Sequence, residues 1–250
     1  MIPVVVLAGG KAKPELEKVI GTPHRSLAQA LGKPLITHVT DALLSSGTAV
    51  ESIVVVGAAP LNSPFFNIMD QGDFVSNLFA GLNRYQEAEF VLIITADLPY
   101  ITGEAVLTFT NEALKLARME SACLVWPVVN AVDCYSRFPG IRRTTLRLQE
   151  GEVTGGNIAL VSPQAILAQR ETISIAFSAR KSPLKLAQML GFTTILRLFL
   201  SQNVSPQLLS ITWLEQRVSF LLGTEARALV TSLPELATDL DRPSDFEALQ

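Results

Sequence analysis

Three short runs of branched apolar residues limit how this chain can fold: residues 3–7, 52–57 and 90–94. Each is apolar at consecutive positions, as a strand must be when both of its faces are covered, and parallel sheets bury both faces. Between the first two runs, residues 34–45 repeat apolar side chains at helical spacing. Leu35, Ile36, Val39, Ala42 and Leu43 share a face, Pro34 stands near the first turn, and Ser45-Ser46-Gly47 ends the pattern. Strand, helix and strand at this spacing form a βαβ unit, so the strands run parallel. Residues 74–85 read as a second helix, and Thr102 as the N-cap of a third. Residues 122–127, 158–161 and 226–231 read as further strands, and Ser162-Pro163 opens a helix that reaches Arg170. Residues 57–72 read as irregular. The polar stretch 11–32 reads as a long loop, a length usually tied to function in a compact domain. From about 180 to 223 a helical period mixes apolar and basic residues, which predicts an insertion of two or three helices. Its apolar stripe, with Trp213, Phe220, Leu221 and Leu222, fits core packing, a dimer face, a cover over the site or a membrane contact.

The first run breaks into Leu7-Ala8-Gly9-Gly10, with Lys11, Lys13, Lys18 and Arg25 behind it. Two glycines let the backbone turn sharply and present its N–H groups, so the segment fits a phosphate cradle as well as a plain turn. Asp97 follows the third run, just ahead of Pro99. Open α/β sheets bind ligands at the carboxyl ends of their strands. A carboxylate there suits a metal that bridges phosphate oxygens, and it also suits a turn cap. Asp239 and Asp241 fall on one side of an extended backbone, whereas Asp245 belongs near the start of a terminal helix. Helix capping explains these three equally. Thr154-Gly155-Gly156-Asn157 is a second glycine turn that presents an amide. Arg142, Arg143 and Arg147 either meet a substrate phosphate or form a solvated basic face.

A net charge of −3 argues against a general nucleic-acid binder, which needs a basic excess to neutralise phosphates. Cys123 and Cys134 are too few for a disulfide framework and lack zinc-ligand spacing to His24 and His38, which fits a reduced cytoplasm. No uncharged stretch reaches the roughly 20 residues of a membrane span. No basic region precedes the first apolar run, so no signal peptide is expected.

Taken in order, Leu7-Ala8-Gly9-Gly10, Gly32-Lys33-Pro34-Leu35, Ala96-Asp97-Leu98-Pro99 and Asp239-Leu240-Asp241-Arg242-Pro243-Ser244-Asp245 resemble the nucleotidyltransferases of the molybdenum-cofactor guanylyltransferase-like (MobA-like) family. The resemblance covers most of residues 1–161 and resumes over about 226–250. It implies an α/β fold of the three-layer, Rossmann-like, nucleotide-diphospho-sugar transferase (GT-A-like) type. The central sheet would be mostly parallel, in a single domain over 1–250 with the helical insertion at about 180–223. It implies Mg²⁺-dependent transfer of a nucleoside monophosphate from a nucleoside triphosphate to a small phosphorylated acceptor, with release of pyrophosphate. The Ala-Gly-Gly form of the first loop is similar to the guanylyl side of the family, which implies GTP.

The resemblance also implies roles for residues. Leu7, Ala8, Gly9 and Gly10 would hold the nucleotide, with Gly72 and Asn77 near the base. Asp97 and Asp241 would bind Mg²⁺, and Arg143, Gly156 and Asn157 would meet the acceptor. Lys11, Lys13 and Arg25 would neutralise the triphosphate during catalysis. Two departures stand out. The family pattern has an Arg shortly after the glycines and an Asp-Lys before the next apolar turn; here the segments are Lys11-Ala12-Lys13-Pro14 and His24-Arg25. The helical insertion is also foreign to the compact molybdenum-cofactor enzymes. A nucleotide-binding or regulatory relative, a sugar-phosphate nucleotidyltransferase, and a homodimer therefore stay among the expectations.

Overall fold

The computed structural model describes residues 2–47, 52–57, 61–179 and 191–249. The chain opens with β1 (Val4–Ala8), α1 (Pro14–Ile20), the short strands β2 (Gln29–Ala30) and β3 (Lys33–Pro34), and α2 (Leu35–Ser46). It continues through β4 (Ile53–Gly57), β5 (Phe66–Met69), α3 (Phe74–Asn83), β6 (Val91–Thr95) and α4 (Gly103–Glu120). Then come β7 (Leu124–Asn130), α5 (Ala131–Arg137), β8 (Leu146–Leu148), β9 (Gly151–Gly155), β10 (Ile158–Val161), α6 (Pro163–Ala168) and α7 (Arg170–Ala179). Helices at Phe192–Asn203 and Ile211–Leu222 lead to β11 (Ala226–Thr231) and a final helix at Pro243–Glu247.

Among the described residues one sheet holds nine strands, in the order β5-β4-β1-β6-β10-β7-β9-β8, with β11 alongside β7. β1 is its axis and pairs in parallel with β4 (Val4↔Ile53) and with β6 (Val4↔Leu92). β10 and β9 run against the rest, so the sheet is mostly parallel, as the apolar runs predict. Successive residues of β1 serve opposite faces. Val4, Val6 and Ala8 join Ile36, Val39, Leu43 and Phe109, from α2 and α4. Val5 and Leu7 join Phe79 and Leu82, from α3. Complete burial of each of these valine, leucine, isoleucine and phenylalanine side chains contributes about 1.5–3 kcal/mol. Gly81 lets α3 approach the strand: a Cβ there would lie 2.3 Å from Val5 Cγ1.

Four stretches differ from the sequence reading. Residues 57–72 contain β5, which lengthens the sheet beside β4. Its Phe66 and Met69 are exposed, so it lacks the buried pattern that marks the inner strands. The polar stretch 11–32 contains α1, which begins at Pro14, ends on Gly21 in the left-handed region and buries Leu16. Thr154 and Gly155 belong to a strand, β9, that forms a hairpin with β8. Helical structure in the C-terminal third begins at α7, ahead of the expected boundary at 180. Residues 180–190 of the predicted insertion lie outside the described residues; the helices Phe192–Asn203 and Ile211–Leu222 follow them. Of the expected stripe, Leu222 is buried with the sheet core and Phe220 is exposed. The guanidinium groups of Arg197 and Arg217 lie 5.3 and 5.1 Å from the Trp213 ring centroid. The helical segment is bonded to the hairpin: Arg147 N–H donates to Gln202 Oε1 (2.9 Å), Gln202 Nε2 donates to the Arg147 carbonyl (3.1 Å), and Gln149 N–H donates to the Leu209 carbonyl (2.8 Å).

Candidate active site

The carboxyl ends of β1 and β6 open into a cavity of about 600 Å³. Leu7, Gly9 and Gly10 form one wall, and Thr95, Asp97 and Asn157 another. Space dictates glycine at position 9: a Cβ there would lie 2.1 Å from Asn77 Nδ2 and 2.7 Å from Asp70 Oδ1. Gly10 follows with φ of 106°, a conformation that favours glycine. Asp70 ties this turn to the start of α3. Its carboxylate accepts from Gly10 N (3.3 Å), Gly72 N (3.0 Å) and Asn77 Nδ2 (2.8 Å), while Asn77 Oδ1 accepts from Gln71 N (2.7 Å). The Asn77 hydrogen bond is the chief cause that holds the Asp70 carboxyl below its ordinary range. Asp73 caps α3 by accepting from Val75 N and Ser76 N, and its own hydrogen bond from Ser76 Oγ lowers its carboxyl pKa.

Asp97 follows β6 and is 4% exposed. Its backbone carbonyl accepts from Leu240 N (3.2 Å), which lays the segment carrying Asp239 and Asp241 beside it. Carboxylate oxygens of Asp97, Asp239 and Asp241 all lie within 4.8 Å of one another. The alternation seen in the sequence thus brings Asp239 and Asp241 to one side. Asp245 sits in the first turn of the last helix and accepts from Asp241 N and Arg242 N (2.9 Å each), so it shapes the segment and stays out of the cluster. Burial raises the pKa of Asp97; the Arg25 guanidinium opposes that shift and Asp239 adds to it.

Arg25 arrives on the arm that follows α1. Ala12 N–H bonds the Pro23 carbonyl (2.8 Å), and Ser26 Oγ donates to the Ala8 carbonyl (2.8 Å), so the arm is fixed along the end of β1. The guanidinium meets Asp97 Oδ2 at 2.7 Å and also pairs with Asp241. Arg143, 8% exposed, pairs with Asp239.

Two smaller cavities adjoin the main one. One, of about 470 Å³, is lined by Gly9, Gly10, Lys11, Lys13, Arg25 and Asp241. The other, of about 240 Å³, is lined by Arg142, Arg143, Thr154, Asn157, Asp239, Asp241 and Arg242. Asp241 lines all three.

Most residues singled out in the sequence therefore meet in one place. Leu7, Gly9, Gly10, Lys11, Arg25, Gly72, Asn77, Asp97, Asn157 and Asp241 line the main cavity, Lys13 lines the second, and Arg143 lines the third. Two line none of these three cavities. Ala8 is buried and gives its carbonyl to Ser26. Gly156 lies behind the wall, where a Cβ would meet Pro127 Cγ at 2.5 Å and the Leu236 carbonyl oxygen at 2.8 Å. That close approach fits a bulge: four residues, Gly156 to Ala159, run opposite Trp126 and Pro127. The bulge carries Asn157 into both the main and the arginine-lined cavity. Asp70 and the stacked pair Phe74–Phe177 (ring centroids 5.0 Å apart), which borders the main cavity, carry no signal in the local sequence pattern. Asp239 does, through its alternation with Asp241.

Residues 4–171 match the MobA-like NTP transferase domain. A hypothetical transferase structure from Thermus thermophilus is similar at 33% identity and a TM-score of 0.84, over 98% of this chain and 100% of that one. A match of that span includes the helical segment. A CMP:2-keto-3-deoxy-manno-octonic acid synthetase solved with CTP is similar at 15% identity and a TM-score of 0.55, over 98% of this chain and 95% of that one. The bifunctional IspDF of Campylobacter jejuni is similar at 12% identity and a TM-score of 0.57, over 99% of this chain and 53% of that one. These last two show the fold. No curated protein sequence matches. No described helix is long and apolar enough to cross a membrane. With its domain match running from β1 into α7, the chain belongs to the MobA-like NTP transferase family and is a nucleotidyltransferase.

Proposed function

We propose that this protein moves a nucleoside monophosphate from GTP to a small phosphorylated acceptor in a Mg²⁺-dependent reaction. The observation that carries the proposal is the set of three carboxylates, Asp97, Asp239 and Asp241, that line the main cavity. Their hard oxygen donors fit Mg²⁺, and the Arg25 guanidinium between two of them is evidence that the position favours a cation. Mg²⁺ held by Asp97 and Asp241, with Asp239 beside them, would draw charge from the α-phosphate.

The chain's own residues supply the rest. The Leu7–Gly10 turn cradles the nucleotide, and Asp70 and Asn77 brace that turn from below. Lys11, Lys13 and Arg25 face the triphosphate and neutralise its charge. Asn157, Arg142 and Arg143 hold the acceptor, which suits a small anion because the lining of that cavity is arginine-rich and has no aromatic ring. A phosphate oxygen of the acceptor attacks the α-phosphorus, and the bond to the leaving pyrophosphate breaks. The acceptor phosphate is already ionised, so no strong general base is needed, which agrees with the structural placement of His38 against the Ala30 carbonyl. Catalysis is positioning and charge stabilisation.

The test is pyrophosphate release, measured with each of four nucleoside triphosphates over a panel of phosphate monoesters, with and without Mg²⁺. GTP should support release only with Mg²⁺, and Asp97→Ala should abolish it. Metal-dependent release that survives Asp97→Ala would sink the assignment. A second reading is a nucleotide-binding relative without turnover. The Arg25 ion pairs at the carboxylate cluster favour it, and calorimetric GTP binding with no release on any acceptor would select it.

A further inference from the structure

We infer that Arg25 is a resident cation of the carboxylate cluster, and that a triphosphate must draw it away before a divalent metal can enter. The inference rests on the metal assignment above. One guanidinium joins Asp97 and Asp241, two of the three carboxylates of the cluster. A metal held there would need the same carboxylates, so guanidinium and metal compete for them. Arginine stays protonated at any working pH, so it cannot vacate the site by losing its charge. A competing anion is what can draw it off.

The structure offers it one route. The backbone of Arg25 is fixed, because Ala28 N–H bonds its carbonyl (3.0 Å) and the neighbouring Ser26 is tied to β1. The side chain, by contrast, is 35% exposed and also lines the cavity that holds Lys11 and Lys13. A triphosphate in that cavity presents pairs of phosphate oxygens that a guanidinium fork can bind bidentately. The side chain therefore has two anionic partners, carboxylate and phosphate, within reach of one anchored backbone. Nucleotide and metal then load as a pair, and the free protein resists filling its metal site with adventitious divalent ions. By linkage the coupling is reciprocal: what the triphosphate does for the metal, the metal does for the triphosphate.

The experiment titrates Mn²⁺ by electron paramagnetic resonance, following loss of the free-ion signal, with and without a non-hydrolysable GTP analogue. Wild type, Arg25→Gln, Arg25→Lys, Lys11→Gln and Asp97→Asn are compared, with circular dichroism to check that each is folded. Without nucleotide, Arg25→Gln should bind Mn²⁺ at least tenfold more tightly than wild type. Arg25→Lys should remain weak, since it keeps the charge. With the analogue, the gain in Mn²⁺ affinity should be at least tenfold smaller for Arg25→Gln than for wild type. If Arg25→Gln binds Mn²⁺ no more tightly than wild type in the absence of nucleotide, the inference is overturned. It is also overturned if Lys11→Gln tightens binding as much, because the effect would then be one of net charge. If Mn²⁺ binding with the analogue is unchanged in Asp97→Asn, the metal assignment itself falls, and the inference with it.

Discussion

Gly9→Ala tests how the nucleotide turn is built. Backbone conformation does not forbid alanine at position 9, but space does. The new Cβ would lie 2.1 Å from Asn77 Nδ2, more than an ångström inside ordinary contact, and 2.7 Å from Asp70 Oδ1. Asn77 is 2% exposed and cannot step aside without losing its bonds to Asp70 (2.8 Å) and Gln71 N (2.7 Å). One of these is to a carboxylate. Loss of a buried neutral hydrogen bond costs about 0.5–1.5 kcal/mol and of a charged one about 1.5–3, so the substitution should cost about 2–4.5 kcal/mol. Urea unfolding should show a lower midpoint at unchanged slope. Asn77→Ala removes the main obstacle, so Gly9→Ala should cost about 1–2 kcal/mol less in that background, a non-additivity expected of residues in contact. Additivity within about 0.5 kcal/mol would refute the claim that Asn77 is what excludes a side chain at position 9.

Asp97→Asn should abolish turnover yet raise stability at neutral pH. Burial lifts the Asp97 carboxyl above its ordinary value of 3.8, so its stabilising contribution is full below that value and is lost as pH rises through the higher folded-state value. The advantage of the Asn variant, followed by urea unfolding, should therefore shrink as pH falls; an advantage that grows on acidification contradicts the sign. Arg143→Met strands the carboxylate of Asp239 in a nearly closed position, and loss of one member of such a buried pair costs about 3–5 kcal/mol. Thermal unfolding reads it, and a change below about 1 kcal/mol would show the pair to be effectively solvated.

The sequence makes the inner sheet legible because β1, β4 and β6 are buried on both faces, and only consecutive branched residues meet that need. Asp97 is legible for a related reason, since its place is fixed by the strand before it. Asp239 and Asp241 show through two-residue alternation. What stays hidden depends on contacts between distant parts of the chain. Asp70 acts by reaching Gly10, 60 residues away, and nothing in residues 57–72 announces it. The pairing of Arg25 with Asp241 spans 216 residues. β5 escapes the pattern because only Ile68 of its four side chains packs against the core, and Gly156 looks like a turn residue until Pro127 and Leu236 press against it. The sequence rules concern neighbours along the chain, and these features belong to neighbours in space.

The bonds between the helical segment and the β8–β9 hairpin have a consequence for solubility. β8 ends the strand order, so the outward N–H and carbonyl of Arg147 would otherwise be a template on which another chain can pair. Gln202 takes both groups, and the Leu209 carbonyl takes the next outward N–H, at Gln149. The helices thus blunt a sheet edge next to the arginine-lined cavity, and they do so with side-chain and loop atoms that cannot propagate a ladder.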